Sequence, residues 1–168
     1  MSWKEIGTIL FLFFIGVALA DTNQELKAIS HLESSNGKNL NHPVIGRGMH
    51  KGHQAGGRYG LMPLTIIDLV SKSTLKDRYP YLLNLSHQEI TAELNRDPVM
   101  DKEIAKFLWN KLRKTRCPLN AAHAWYHGPH ASKDRFNISP YVIKFKMEME
   151  KNEAKIKRTG PVGISATR

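Results

Sequence analysis

The most restrictive feature of this sequence is a glycine-rich stretch that follows a short segment with helical periodicity. Residues 36–60 contain seven glycines, at positions 37, 46, 48, 52, 56, 57 and 60. Because each glycine inside a helix costs roughly 1 kcal/mol relative to alanine, we predict a loop or a small hairpin there. Residues 34–59 also contain no Asp or Glu. Glu33 is therefore a single carboxylate directly before a long, acid-free loop.

Helical patterns account for most of the remaining chain. Leu26, Ile29 and Leu32 recur every three residues and predict a helix over 21–34, which the following Asn-Gly pair would end. Residues 74–85 are predicted to be a connector. Further helices are predicted from Pro63, over 86–95 behind a Ser86–Glu89 capping box, over 98–114, over 119–127 and over 140–155. The fold class is therefore mainly α, with residues 21–155 as a single domain and 156–168 as a basic, disordered tail.

The first 20 residues have the composition of a secretory signal peptide. A short polar segment with Lys4 precedes an uncharged apolar run over 6–20, and Ala18-Leu19-Ala20 fits the small-x-small cleavage pattern. The run is shorter than the ~20 residues that span a bilayer, so we favour cleavage over an uncleaved anchor. The mature protein is then expected in the periplasm or the cell-wall space, with no stable membrane span.

Charge and cysteine content narrow the choice of partner. The formal net charge of +10 favours an anionic partner, which could be nucleic acid, a membrane surface or an acidic wall polymer. Export makes nucleic acid a poor candidate. Cys117 is the only cysteine, so the core has no intramolecular disulfide to support it. We also expect the protein to be a monomer.

Histidine spacings do not predict a metal site. His50-x-x-His53 and the series His123, His127 and His130 have ligand-like spacings, but the chain has neither an H-E-x-x-H motif nor a cysteine cluster. We therefore expect these histidines to be exposed or to contact a ligand directly. No cofactor is predicted.

Four short segments together resemble a known family. Glu33-Ser34 is similar to the E-S pair of lytic transglycosylases of the goose-type lysozyme superfamily, and Gly60-Leu61-Met62 resembles the family's G-L-M-Q segment. The run from Ala124 to Pro129, AWYHGP, resembles A-Y-N-x-G, and Tyr141-Val142-x-Lys144 resembles the final Y-V-x-K segment. The resemblance covers roughly residues 24–147. The chain departs from the family where Pro63 replaces Gln, Trp125 replaces Tyr and Tyr126 replaces Asn.

The resemblance implies a lysozyme-like α fold with Glu33 at the floor of a glycan groove. It implies cleavage of the β-1,4 bond between N-acetylmuramic acid and N-acetylglucosamine in peptidoglycan, with Glu33 as the single acid and base. The product would carry a 1,6-anhydromuramic acid end. The residues that the resemblance places against the substrate are Ser34, Tyr59, Gly60, Leu61, Met62, Trp125, Tyr126, His127 and Tyr141.

Three alternatives remain open from the sequence. A hydrolytic muramidase would need a second carboxylate. Goose-type hydrolases carry it between the catalytic Glu and the G-L-M segment, a region that contains no acid in this chain. Asp68 or a more distant acid would therefore have to supply it. A phage-encoded lysis enzyme could use the same chemistry. A non-catalytic peptidoglycan-binding protein would explain the departures from the family.

Glu33 needs a raised pKa to act as an acid near neutral pH. Apolar neighbours would raise that pKa, and the candidates are Leu61, Met62 and Trp125. Nearby cations would lower it, and the candidates are Arg47, Lys51 and Arg58.

Overall fold

The computed structural model describes residues 22–128 and 139–159, and these residues are mainly helical, without a named β-strand. The predicted signal peptide, Pro129, His130 and residues 160–168 lie outside the described ranges. The helices are α1 (22–34), α2 (Pro63–Ser71), α3 (Leu75–Arg78), a 3₁₀ helix (Pro80–Asn84), α4 (His87–Arg96), α5 (Pro98–Arg113), α6 (Pro118–His127) and α7 (Pro140–Thr159). None of the helices in these ranges is long and apolar enough to cross a membrane.

Local capping signals explain where α4 and α5 begin and where α1 ends. The predicted capping box is confirmed, because the Ser86 hydroxyl accepts from the Glu89 amide and the Glu89 carboxylate accepts from the Ser86 amide. Asp97 caps α5 by accepting from the amides of Val99 and Met100. The chain leaves α1 through three consecutive left-handed residues at 35–37, the last of which is a glycine with φ +85°.

Two predicted elements differ from the structure. The 74–85 connector contains α3 and the 3₁₀ helix, which bury Leu75 and Leu82. These turns are too short to produce a periodic apolar stripe, so the sequence pattern did not indicate them. Helix α7 continues to Thr159, so the tail predicted from residue 156 begins with helical residues.

The core centres on Trp109, which joins four helices. Its ring contacts Trp125 of α6 edge-on at 6.0 Å and Phe145 of α7 at 5.8 Å between ring centroids. Its indole nitrogen donates to Glu25 Oε2 of α1 at 2.7 Å, so the buried carboxylate has a partner. Arg113 Nε lies 3.4 Å from the other oxygen of Glu25. These contacts fix α1 relative to α5, α6 and α7.

The glycine-rich stretch is an irregular loop with two isolated antiparallel bridges. One bridge joins Val44 and Gln54, and the other joins Gly56 and Leu61. The second closes a four-residue turn, residues 57–60, through reciprocal backbone hydrogen bonds of 2.9 Å between Gly56 and Leu61. This turn brings the glycine-rich stretch back against the end of α1.

Candidate active site

Glu33 lies in the last turn of α1, where it contacts the beginning of α7. Its Oε1 accepts a hydrogen bond from the Tyr141 hydroxyl at 2.8 Å. The two residues are 108 positions apart in the chain, so the contact depends on the packing of α7 against α1. The first and last of the four family-like segments therefore meet at one carboxyl group.

Burial gives Glu33 the pKa of an acid that is useful near neutral pH. Removal of the carboxyl group from water raises its pKa to about 7, and the hydrogen bond from Tyr141 acts in the opposite direction. Burial and the neighbouring carboxylate raise the pKa of Tyr141 well above its usual value. The phenol therefore remains protonated and continues to donate when Glu33 is ionised.

Gly60 fits against the other side of the Glu33 carboxyl group. Its φ is +64°, and a Cβ added at this position would lie 2.6 Å from Glu33 Oε2. Both the backbone conformation and the close approach therefore require glycine. The second family-like segment consequently meets Glu33 through its backbone.

Two polar side chains hold the amides of the 57–60 turn. The Gly57 amide donates to Asn95 Oδ1 at 2.7 Å, and the Arg58 amide donates to Asp101 Oδ2 at 2.8 Å. Asp101 is 1% exposed, and burial raises its pKa to about 7. Its Oδ1 has no hydrogen-bond partner among the described residues. Sequence reasoning missed Asp101, because an acid in the first turn of a helix usually faces solvent.

Two further side chains hold the carbonyl groups of the same turn. Ser34 Oγ lies 2.7 Å from the Arg58 carbonyl oxygen and also accepts from the Gly37 amide at 2.8 Å. His42 Nε2 lies 2.7 Å from the Gly57 carbonyl oxygen. Because a carbonyl oxygen can only accept, His42 carries a proton on Nε2 in this arrangement. Four side chains thus hydrogen-bond to the backbone of the turn, which holds Gly60 against Glu33.

The opposite side of the site carries two aromatic side chains from the end of α6. The Tyr126 ring, 59% exposed, stacks on the Tyr141 ring with centroids 4.6 Å apart and 16° between the planes. The exposed His127 contacts Tyr126 edge-on at 4.8 Å, and its Nε2 lies 3.3 Å from Ser139 Oγ. The third family-like segment therefore reaches Glu33 indirectly, through the stacked pair of tyrosines.

Several of the predicted substrate contacts have a supporting position instead. Ser34, Tyr59 and Leu61 are at most 4% exposed, and the last two belong to the hydrophobic core. Trp125 is half-buried and packs against that core, while Met62 is half-buried directly before α2. Of the nine residues, Tyr126 and His127 are the exposed ones. Direct contact with a glycan therefore fits Tyr126 and His127 better than Ser34, Tyr59 or Leu61.

The structure also bears on two alternatives considered from the sequence, a second carboxylate and a metal site. Asp68 is exposed and forms an ion pair with Lys72, as expected for a helix-surface residue. No group of three or more His, Cys, Asp or Glu residues within 22–128 and 139–159 could hold a metal ion. Neither of two surface clefts, of about 420 and 590 Å³, is lined by Glu33. The segment that joins Gly128 to Ser139 lies outside the described residues.

The fold and the site together define a mainly helical protein in which burial raises the pKa of two carboxylic acids, Glu33 and Asp101, to about 7. The chain matches none of the protein-family models, curated proteins or solved structures with which it was compared. The function must therefore be argued from the residues and their geometry.

Proposed function

We propose that the chain is an exported peptidoglycan lytic transglycosylase with a lysozyme-like fold and Glu33 as its single acid and base. The observation that carries the proposal is the Glu33 carboxyl group, with its pKa of about 7, between Tyr141 and Gly60. Separate family-like segments supply these three residues. A chance resemblance of short motifs gives no reason for them to converge on one carboxyl group.

The proposed reaction uses Glu33 twice. The protonated carboxyl group donates its proton to the glycosidic oxygen, and the bond from that oxygen to C1 of muramic acid breaks. The acetamido oxygen of the substrate stabilises C1. The ionised Glu33 then takes the proton from the muramic acid 6-hydroxyl as that oxygen attacks C1. The products are a free N-acetylglucosamine 4-hydroxyl and a 1,6-anhydro ring, and no water is consumed.

Tyr141 supports the ionised intermediate state of this cycle. Its hydroxyl donates to Glu33 Oε1, and a hydrogen bond to a carboxylate is stronger than one to a neutral acid. The bond therefore stabilises Glu33 after the first proton transfer and keeps Oε1 fixed. Because Oε1 is engaged by Tyr141, Oε2, which faces Gly60, is the oxygen that we expect to exchange the proton with the substrate.

Intramolecular transfer is favoured over hydrolysis because Asp68, the acid that the sequence offers as a second carboxylate, and the buried Asp101 are poorly placed to activate water. Asp68 is on the surface with Lys72, and Asp101 is buried against the Arg58 amide.

Two of the three departures from the family have a role in packing the fold. Pro63 is the buried first residue of α2, and Trp125 packs against Trp109. Neither requires that the chain be a non-catalytic binding protein.

Release of soluble fragments from purified peptidoglycan sacculi tests the proposal. Glu33→Gln keeps the size of the side chain but cannot donate a proton as an acid, so activity should fall by at least about 100-fold. Asp68→Asn is the matched control, because it removes an exposed carboxylate, and it should retain wild-type activity. If the wild type binds sacculi and releases nothing, the chain is a wall-binding protein instead. Unchanged activity in Glu33→Gln would also contradict the proposal.

A further inference from the structure

A second polar cleft, of about 590 Å³, lies between α1 and α7. The residues that line it are Lys27, His31, Asn36, Glu148, Lys151, Asn152, Ala154, Lys155 and Arg158. Glu33 is not among them. The proposed catalytic reaction makes no use of this cleft, which we call the α1–α7 cleft.

The charges of the α1–α7 cleft are predominantly positive and lie in rows. Lys27 and His31 are one turn apart on α1, while Lys151, Lys155 and Arg158 share one face of α7. At 1.5 Å per residue, the row on α7 extends over about 10 Å. This length suits several anionic groups in a line better than one compact anion.

The single carboxylate in the lining is already engaged. Glu148 Oε2 lies 3.8 Å from His31 Nε2 and 3.5 Å from Lys151 Nζ. One carboxylate opposite four Lys and Arg side chains leaves an excess of positive charge in the α1–α7 cleft. An anionic ligand would reduce the repulsion between these cations.

Asn152 is the buried polar residue of the cleft lining. The residue is 8% exposed and lines the α1–α7 cleft, yet its side-chain Nδ2 has no hydrogen-bond partner among the described residues. Buried donors are nearly always paired in folded proteins. This nitrogen is itself closed off from solvent, so it belongs to the floor of the α1–α7 cleft, and the cations above it are the groups that a ligand would contact.

We propose that the α1–α7 cleft binds a linear, non-aromatic polymer of phosphodiester groups, such as an anionic wall polymer. Lysine and arginine side chains bind phosphate oxygens, and the rows of cations match a repeating charge. Single-stranded nucleic acid is disfavoured, because its binding sites combine cations with aromatic stacking platforms. The lining contains no Phe, Tyr or Trp among the described residues.

Binding of poly(glycerol phosphate) to the purified protein, measured by calorimetry, tests this assignment without any activity readout. The double variant Lys27→Ala, Arg158→Ala should weaken binding by about tenfold at moderate salt, with a shallower salt dependence. Asn152→Ala should change the affinity by less than about twofold, because its side-chain nitrogen is closed off from solvent beneath the cations. The matched control is Lys76→Ala, Lys102→Ala, which removes the same charge from exposed positions elsewhere and should change the affinity by less than about twofold.

Three outcomes would overturn the assignment. Equal weakening by the two double variants would show diffuse attraction to the basic protein. Tighter binding of an oligothymidylate with the same number of phosphates would show a nucleic-acid surface. Binding of inorganic phosphate as tightly as of the polymer would show a site for a single anion. Because none of these readouts involves glycan cleavage, failure here and failure of the transglycosylase proposal can be told apart.

Discussion

At the scale of single residues, Glu33 and Tyr141 form the hydrogen-bonded pair of the candidate site. Burial raises the pKa of Glu33, and the phenol limits that rise by favouring the charged form. The same hydrogen bond fixes one carboxyl oxygen. In the proposed reaction, the pair balances the two requirements of a group that first loses a proton and then takes one back.

Tyr141→Phe should raise the pKa of Glu33 above about 7, because the substitution removes the interaction that lowers it and leaves the burial. The carbon-13 chemical shift of the Glu33 carboxyl group, followed during a pH titration, measures this directly. Tyr126→Phe is the control, since it keeps the stacked ring and should leave the pKa unchanged. An unchanged or lowered pKa in Tyr141→Phe would contradict the account of this pair.

At the scale of elements, the 57–60 turn connects Glu33 to the rest of the fold. Ser34 from α1, Asn95 from α4 and Asp101 from α5 each hold one backbone group of the turn. The result is a backbone wall beside Glu33 that side-chain hydrogen bonds hold in place, in a region that the sequence predicts only as a loop or a small hairpin. Gly60 is the point at which this wall contacts the carboxyl group.

A comparison of Gly60→Ala with Gly52→Ala separates the cost of backbone strain from the cost of overlap with Glu33. Both positions have positive φ, but a Cβ at Gly52 meets nothing within 4 Å. Gly52→Ala should therefore lower the free energy of unfolding by about 1–2 kcal/mol, from the left-handed conformation alone. Gly60→Ala should cost roughly 3 kcal/mol, because overlap with Glu33 is added.

Denaturant unfolding measures both losses, and sacculus digestion should show lost activity in Gly60→Ala only. Equal loss of activity in the two alanine variants would refute a specific role for the contact between Gly60 and Glu33.

Local signals in the sequence predicted the elements well and their tertiary connections poorly. The capping box at Ser86 and the glycine-rich loop are confirmed because both depend on residues adjacent in the chain. Glu33 was selected through resemblance, and its raised pKa could only be stated as a requirement. Asp101 was missed because its contact with Arg58 joins residues 43 positions apart. Periodicity carries no information about such contacts.

At the scale of the whole molecule, two buried carboxyl groups couple stability to pH. Glu33 and Asp101 have ordinary pKa values of 4.5 and 3.8, and burial raises both to about 7. Between these limits the folded state holds protons that the unfolded state releases. The contribution of these two groups to the free energy of unfolding therefore falls as pH rises from about 4 to about 7, and they add no further loss at higher pH.

Thermal unfolding between about pH 4.5 and pH 7.5 should show this loss, and Asp101→Asn should reduce it by on the order of 2 kcal/mol. The amide retains an oxygen for the Arg58 amide but has no proton to lose. Asp68→Asn is the control, because its ion pair with Lys72 holds the pKa of that carboxyl below its usual range. A pH dependence of stability that Asp101→Asn leaves unchanged would contradict the assignment of Asp101 as a buried acid with a raised pKa.

The mass of the fragments that the wild-type protein releases from purified sacculi tests the central claim most directly. If Glu33 is the single acid and base, the muropeptides should carry 1,6-anhydromuramic acid ends and be lighter by one water than the products of hydrolysis. No such fragments should appear with Glu33→Gln. Fragments with reducing ends alone would contradict this account and identify the protein as a hydrolytic muramidase.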